Sequence, residues 1–269
     1  MYRDMDRAAL DAAYNNQAAV PAFGAIMKDW LRRSTAVHDA LRTRFDLRYG
    51  ERPRRTLDFI AAREPNAPLL VFIHGGYWQG GDKRSVGFVA KGPHAQGFAV
   101  ALVEYTVAPE GRLADMVGEV RSALEWLRAN AANLGFDADR IVLAGHSAGG
   151  QLLCMAQDAP GVIGGIAISG LFELEPIRLC YLNEKLALTP DDVARFSPMN
   201  DVRARPHSLT VAVGARELPE LIRQSRDYAA AIGAPCMLLG GHDHFTVLDE
   251  LAAEDGRLCL ELGRMVSTR

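Results

Sequence analysis

Short runs of aliphatic and β-branched residues alternate along this chain with longer stretches whose apolar positions recur at helical spacing. The short runs are TLDFIA from Thr56, LLVFIH from Leu69, FAVALVEY from Phe98, RIVLAG from Arg140, GGIAIS from Gly164, SLTVAVG from Ser208 and PCMLLG from Pro235. Between them the spacing predicts helices over Ser85–Gln96, Leu113–Leu134, Ala148–Gln157 and Leu218–Ile232. Strands alternating with helices imply βαβ units and a mostly parallel, twisted sheet with helices on both faces. The near-continuous apolarity of the short runs fits strands buried on both sides.

Two regions depart from this rhythm. Residues 1–50 read as a polar-amphipathic helical arm, with Phe23, Ile26, Met27, Trp30, Val37 and Leu41 near helical spacing. Such an arm packs on the domain and is placed to roof a pocket. The segment 171–205 carries three prolines and no strand pattern, and it is long for a plain connection; it is expected to be a lid or specificity insert. No repeat or linker divides the chain, so residues 1–269 are expected to form one domain with a small cap from the arm and the insert.

Composition narrows the function classes. Half the residues are hydrophobic and the formal charge is −3, which gives no global pull toward nucleic acid or an anionic membrane. No apolar run approaches the ~20 residues a spanning helix needs, and the first residues lack the apolar core of a secretory signal. Cys154, Cys180, Cys236 and Cys259 are dispersed, without a CxxC pair, as expected of reduced thiols in the cytoplasm. A small-molecule partner is favoured; a homodimer is left open.

The strongest local signal is Gly145-His146-Ser147-Ala148-Gly149, a G-x-S-x-G between the strand RIVLAG and the helical run AGGQLLCMAQ. That strand-turn-helix context is the one a nucleophilic serine elbow requires. A serine hydroxyl is a weak nucleophile until a base removes its proton, and the base needs a carboxylate to orient it. In this architecture acid and histidine follow the serine on the ends of later strands. Glu217 lies just past SLTVAVG, with Glu220 and Asp243 as competitors; His242 and His244 both follow PCMLLG. His-Asp-His could also supply metal ligands, but the other histidines form no companion cluster, so neither metal nor cofactor is expected.

The stretch HGGYW from His74 to Trp78 completes the constellation. Acyl transfer needs backbone N–H groups aimed at the developing oxyanion, and glycines let the chain come close. The amides of Gly76, Tyr77 and Ala148 are the expected donors, with His74 orienting the loop. A glycine turn with aromatics plugging the core is the competing reading. Tyr77, Trp78, Phe172 and Tyr181, with Tyr14 from the arm, are candidate substrate-binding residues.

HGGYW, GHSAGG at Gly145–Gly150, VGARELPELIRQS at Val213–Ser225 and DHF at Asp243–Phe245 together resemble the arylformamidase (kynurenine formamidase) branch of the α/β-hydrolases, near the hormone-sensitive-lipase-like esterases. The resemblance runs from about Tyr14 to the C-terminal helix. It implies a metal-free hydrolase in which Ser147 is nucleophile, Glu217 acid and His244 base, acting on N-formyl amides of aromatic amines. One departure stands out: related formamidases commonly carry aspartate where this chain has Glu217. Ester and formamide hydrolysis share every part named here, so a short-chain carboxylesterase is the alternative. A hydrolase scaffold that only binds ligand is a third, opposed by the survival of every catalytic residue type.

Overall fold

The computed structural model describes residues 2–202 and 208–267. Eight strands form one sheet in the order β1-β2-β4-β3-β5-β6-β7-β8. They are β1 (Arg44–Arg48), β2 (Thr56–Ile60), β3 (Ala67–Ile73), β4 (Ala99–Val103), β5 (Phe136–His146), β6 (Val162–Ile168), β7 (Ser208–Gly214) and β8 (Cys236–Leu239). β1 and β2 pair antiparallel and β2 joins β4 antiparallel; every other pairing is parallel. The mostly parallel sheet is what the alternation of runs predicts, and the architecture is the α/β-hydrolase fold that the resemblance implies.

Apolar residues face both ways along each central strand because both sides of the sheet are covered. One face presents Leu69, Val71, Ile73, Leu143 and Val211 to α5 (Leu113–Ala129), α7 (Ala148–Cys154) and α11 (Pro219–Ile232). The other presents Leu70, Phe72, Val142, Ile166 and Ala212 to α3 (Phe23–Ala40), α12 (Asp249–Ala252) and α13 (Arg257–Ser267). Two small arm helices, α1 (Arg7–Ala13) and α2 (Asn16–Ala19), precede α3.

Three elements differ from expectation. Residues 44–48 form an edge strand although the arm reads as helical: Phe45 and Leu47 alternate with polar neighbours, a period of two that suits pairing with β2. Ser85–Gln96 is not one helix but a 3₁₀ turn, Gly87–Ala90, followed by α4 (Lys91–Ala95). Two glycines and Pro93, which lacks an N–H, weaken a continuous helix there. The helix expected over Leu113–Leu134 ends at Ala129, and a short turn, α6 (Ala131–Leu134), completes it.

The insert folds into α8 (Glu175–Leu179), α9 (Asn183–Leu186) and α10 (Pro190–Phe196). Leu174, Ile177, Leu182, Leu186 and Phe196 are buried against the core, so the insert is a packed wall. Its last residues, 203–205, and His207 lie outside the described residues.

Candidate active site

Ser147 occupies the turn between β5 and α7 with φ 54° and ψ −117°, a backbone conformation that costs about 1–3 kcal/mol in a non-glycine residue. The turn survives because strand and helix are pressed together: a Cβ on Gly149 would lie 2.0 Å from the Ile73 carbonyl oxygen. The Ser147 amide donates to the Ile168 carbonyl at 2.8 Å, pinning the turn to β6. The side chain faces a cavity of about 410 Å³ that His244 also lines.

His244 reaches Glu217 through Nδ1···Oε2 at 2.7 Å. A carboxylate oxygen accepts, which places the proton on Nδ1 and leaves Nε2 as the ring's other basic position. Glu217 Oε1 accepts from the Ser169 hydroxyl at 2.5 Å and from the Gly214 amide at 2.7 Å. Three donors therefore hold the carboxylate. The competing candidates are engaged elsewhere. Glu220 binds Tyr14 and Arg223, Asp243 accepts from the Phe245 and Thr246 amides, and His242 faces Glu250 at 3.1 Å. The His-Asp-His run thus points its three side chains to three separate partners. Among the described residues no group of three or more His, Cys, Asp or Glu could hold a metal ion.

Opposite the serine, the loop 74–81 follows β3. Gly76 sits at φ 117°, and a Cβ there would meet the Gly80 carbonyl at 2.3 Å. The amides of Gly76, Tyr77 and Ala148 have no hydrogen-bond partner among the described residues, and Gly76 and Tyr77 line the cavity. His74 anchors the loop, with Nδ1 2.8 Å from the Gly75 carbonyl and Nε2 2.9 Å from Glu104 Oε1. The Tyr105 ring stacks on it at 4.5 Å. Arg54 bridges Glu104 and the Gly81 carbonyl, at 2.6 and 2.7 Å. Burial alone would raise the Glu104 pKa; His74, Arg54 and the Lys83 amide outweigh it and hold the carboxyl down at about 2.

The remaining wall includes Phe23, Met27 and Trp30 from the arm, with Tyr77, Tyr181 and Phe245. Asn16 also lines it; its Nδ2 donates to the Tyr77 hydroxyl, which donates in turn to the Tyr14 carbonyl.

Two sequence expectations are corrected here. Trp78 is fully buried and donates to Gln151 Oε1 at 3.1 Å, and Phe172 is fully buried in a stack on Tyr228 at 4.3 Å; neither lines the cavity. Their bulk serves packing beneath the loop and the insert. Tyr77 and Tyr181 do line it, whereas Tyr14 touches it only through its carbonyl bond to Tyr77.

Sequence reasoning missed Ser169, although it stands at the end of the run GGIAIS, where a strand delivers its last side chain to the site. It also missed His146. That ring's Nε2 donates to the His244 carbonyl at 2.7 Å, 98 residues away, which no local pattern announces. Burial, reinforced by the neighbouring His244 and His74, pushes the His146 pKa down to about 3, so the ring is neutral in this role.

Sheet order, serine elbow and cavity together define an α/β-hydrolase. A family profile described as BD-FAE matches residues 57–159. Kynurenine formamidase of Danio rerio is 30% identical over 260 residues, spanning 89% of this chain and 86% of that protein. The enzyme of the same name from Drosophila melanogaster is 30% identical over 78% of this chain and 77% of its own length. Among solved structures, a Silicibacter protein for which thioesterase activity is suggested superposes with a TM-score of 0.87 at 30% identity, covering 94% of this chain and 98% of that one. An esterase from Pyrobaculum calidifontis, 19% identical, shares the fold with a TM-score of 0.71 over 97% of each chain. The chain belongs to the kynurenine formamidase family, and it is a hydrolase.

Proposed function

We propose that the protein hydrolyses a small acyl amide, an aryl formamide of the N-formylkynurenine type, through an acyl-enzyme on Ser147. The observation that carries this reading is that His244, paired with Glu217, lines one cavity with Ser147 and with Gly76 and Tyr77, whose amides are unpartnered among the described residues.

His244 Nε2 takes the Ser147 proton as Oγ adds to the formyl carbon. The oxyanion is received by the amides of Gly76, Tyr77 and Ala148. Collapse expels the aryl amine, which takes its proton from His244, and leaves a formyl ester on Ser147. Water, deprotonated by the same imidazole, releases formate and restores the serine. Glu217 keeps the ring oriented throughout. The aromatic wall from the arm suits an aryl leaving group, and the extent of similarity to the two kynurenine formamidases supports the formyl acyl group.

The esterases among the structural neighbours favour a second reading, a carboxylesterase for short acyl chains. A paired assay separates the two: N-formylkynurenine against a short-chain p-nitrophenyl ester, with Ser147→Ala as blank and a chelator present. Formamide turnover with the higher kcat/KM, unaffected by chelation and lost in the variant, is the expected result. Preference for the ester by orders of magnitude would assign the protein to the esterases, and turnover surviving in Ser147→Ala would overturn the serine mechanism.

A further inference from the structure

A second cavity, of about 670 Å³, is larger than the one at Ser147 and shares no lining residue with it. Its position rules out a part in the chemistry described above, yet its volume falls within the range of small-molecule sites. Helix α3 contributes to both cavities. Phe23, Met27 and Trp30 face the serine, while Arg32, Arg33, Ala36, Val37 and Ala40, further along, line the second.

The lining of the second cavity divides into an apolar floor and a basic rim. The floor comprises Leu41 with several alanines from α3, α4 and α12, above a buried Phe88. The rim carries Arg32, Arg33, Arg63 and Lys91, with Asp249 as the single lining carboxylate. Arg33 pairs with Asp249 at 2.6 Å, and Arg32 pairs with Asp29 at 2.6 Å. Arg63 and Lys91 are exposed, and their side chains make no hydrogen bond or ion pair among the described residues. Four cations thus meet two carboxylates, leaving a local positive surplus on a chain whose net charge is −3. Burial lowers the pKa of His94, also in the lining, so it adds no charge at neutral pH. The Arg33 guanidinium lies over the Phe88 ring, 4.3 Å from its centre.

An apolar floor with a surplus of guanidinium and ammonium donors on one rim is complementary to an amphipathic anion. We propose that this cleft binds a small organic carboxylate with an apolar body, the carboxylate held by Arg63 and Lys91 and the body laid on Leu41 and the exposed alanines.

The test is calorimetric titration of the intact protein with 4-phenylbutyrate and with its neutral amide. The carboxylate is expected to bind with a Kd at or below about 1 mM, about tenfold or more tighter than the amide, and more weakly as salt rises. The double variant Arg63→Glu/Lys91→Glu alters two exposed, unpartnered side chains and should weaken carboxylate binding about tenfold or more. Ala36→Trp, at an exposed position, should do the same by filling the floor, and thermal melting of both variants checks that they fold. Absence of binding, equal affinity for carboxylate and amide, or affinity unchanged in both variants would each overturn the proposal; the last would place the ligand in the cavity at Ser147.

Discussion

At the strand ends beneath the cavity, Tyr77, Trp78, Ser147 and Ser169 all adopt positive φ, and at Gly76 and Gly149 there is no room for a Cβ. Across the cavity the arm is held in another way, by side chains reaching over long sequence distances. Tyr14 donates to Glu220 and accepts from Gln224, Asn16 meets Tyr77, and Tyr2 joins Glu173 beside Arg223. The floor is backbone geometry forced by tight packing; the roof is a set of replaceable hydrogen bonds. The difference teaches that positions of the reacting atoms are over-determined, while the shape offered to the substrate can change by single side-chain substitutions.

Breaking the floor should have the largest effects. Ser147→Ala is expected to lower kcat by about 10⁴-fold or more while leaving the thermal midpoint near its original value, as read by steady-state kinetics beside a melt. Glu217→Gln should cost about 10³–10⁴-fold in kcat, because an amide cannot enforce the same imidazole tautomer. Gly149→Ala drives a methyl into the Ile73 carbonyl and should destabilise the fold by about 3 kcal/mol or more, visible in urea unfolding.

Acid should find the floor's weak point next. His146 titrates near 6.5 when unfolded and near 3 when folded, so below about pH 6.5 the unfolded chain takes up a proton that the native one refuses. Its contribution to stability is complete above that value and is lost as pH falls toward 3. His38 and His94, also lowered by burial, act in the same direction. Glu104, ordinarily near 4.5 and held near 2, adds a loss confined to the interval between them. The urea midpoint should therefore already decline between pH 6.5 and 4.5, and His146→Gln should make that slope shallower. The smallest effect is expected at the roof. Tyr77→Phe keeps the backbone amide but releases Asn16 and the Tyr14 carbonyl, and should raise KM severalfold with little change in kcat. An equal fall in kcat would mean that roof and floor are coupled.

The same division explains what could be read from the chain alone. The sheet, its crossovers and the strand-end placement of Ser147, Glu217 and His244 follow from periodicity and turn chemistry, which are local properties. β1 escaped because five residues at an edge, with Phe45 left exposed, carry too little pattern to outweigh the helical stretch before them. Trp78 and Phe172 were assigned to the pocket because an aromatic residue beside a functional loop has one sequence signature whether it turns inward or outward. Ser169 and His146 act on residues 48 and 98 positions away, and only the folded sheet brings them there.

The bonds between the arm and α11 also order events in time. Tyr14 and Gln224 stand 210 residues apart, so this anchor of the arm is complete only with the last quarter of the chain. Pairings of such separation form slowly. A nascent chain ending near residue 200 carries Ser147 and the loop after β3 but lacks Glu217, His244 and the α11 side chains that anchor the arm.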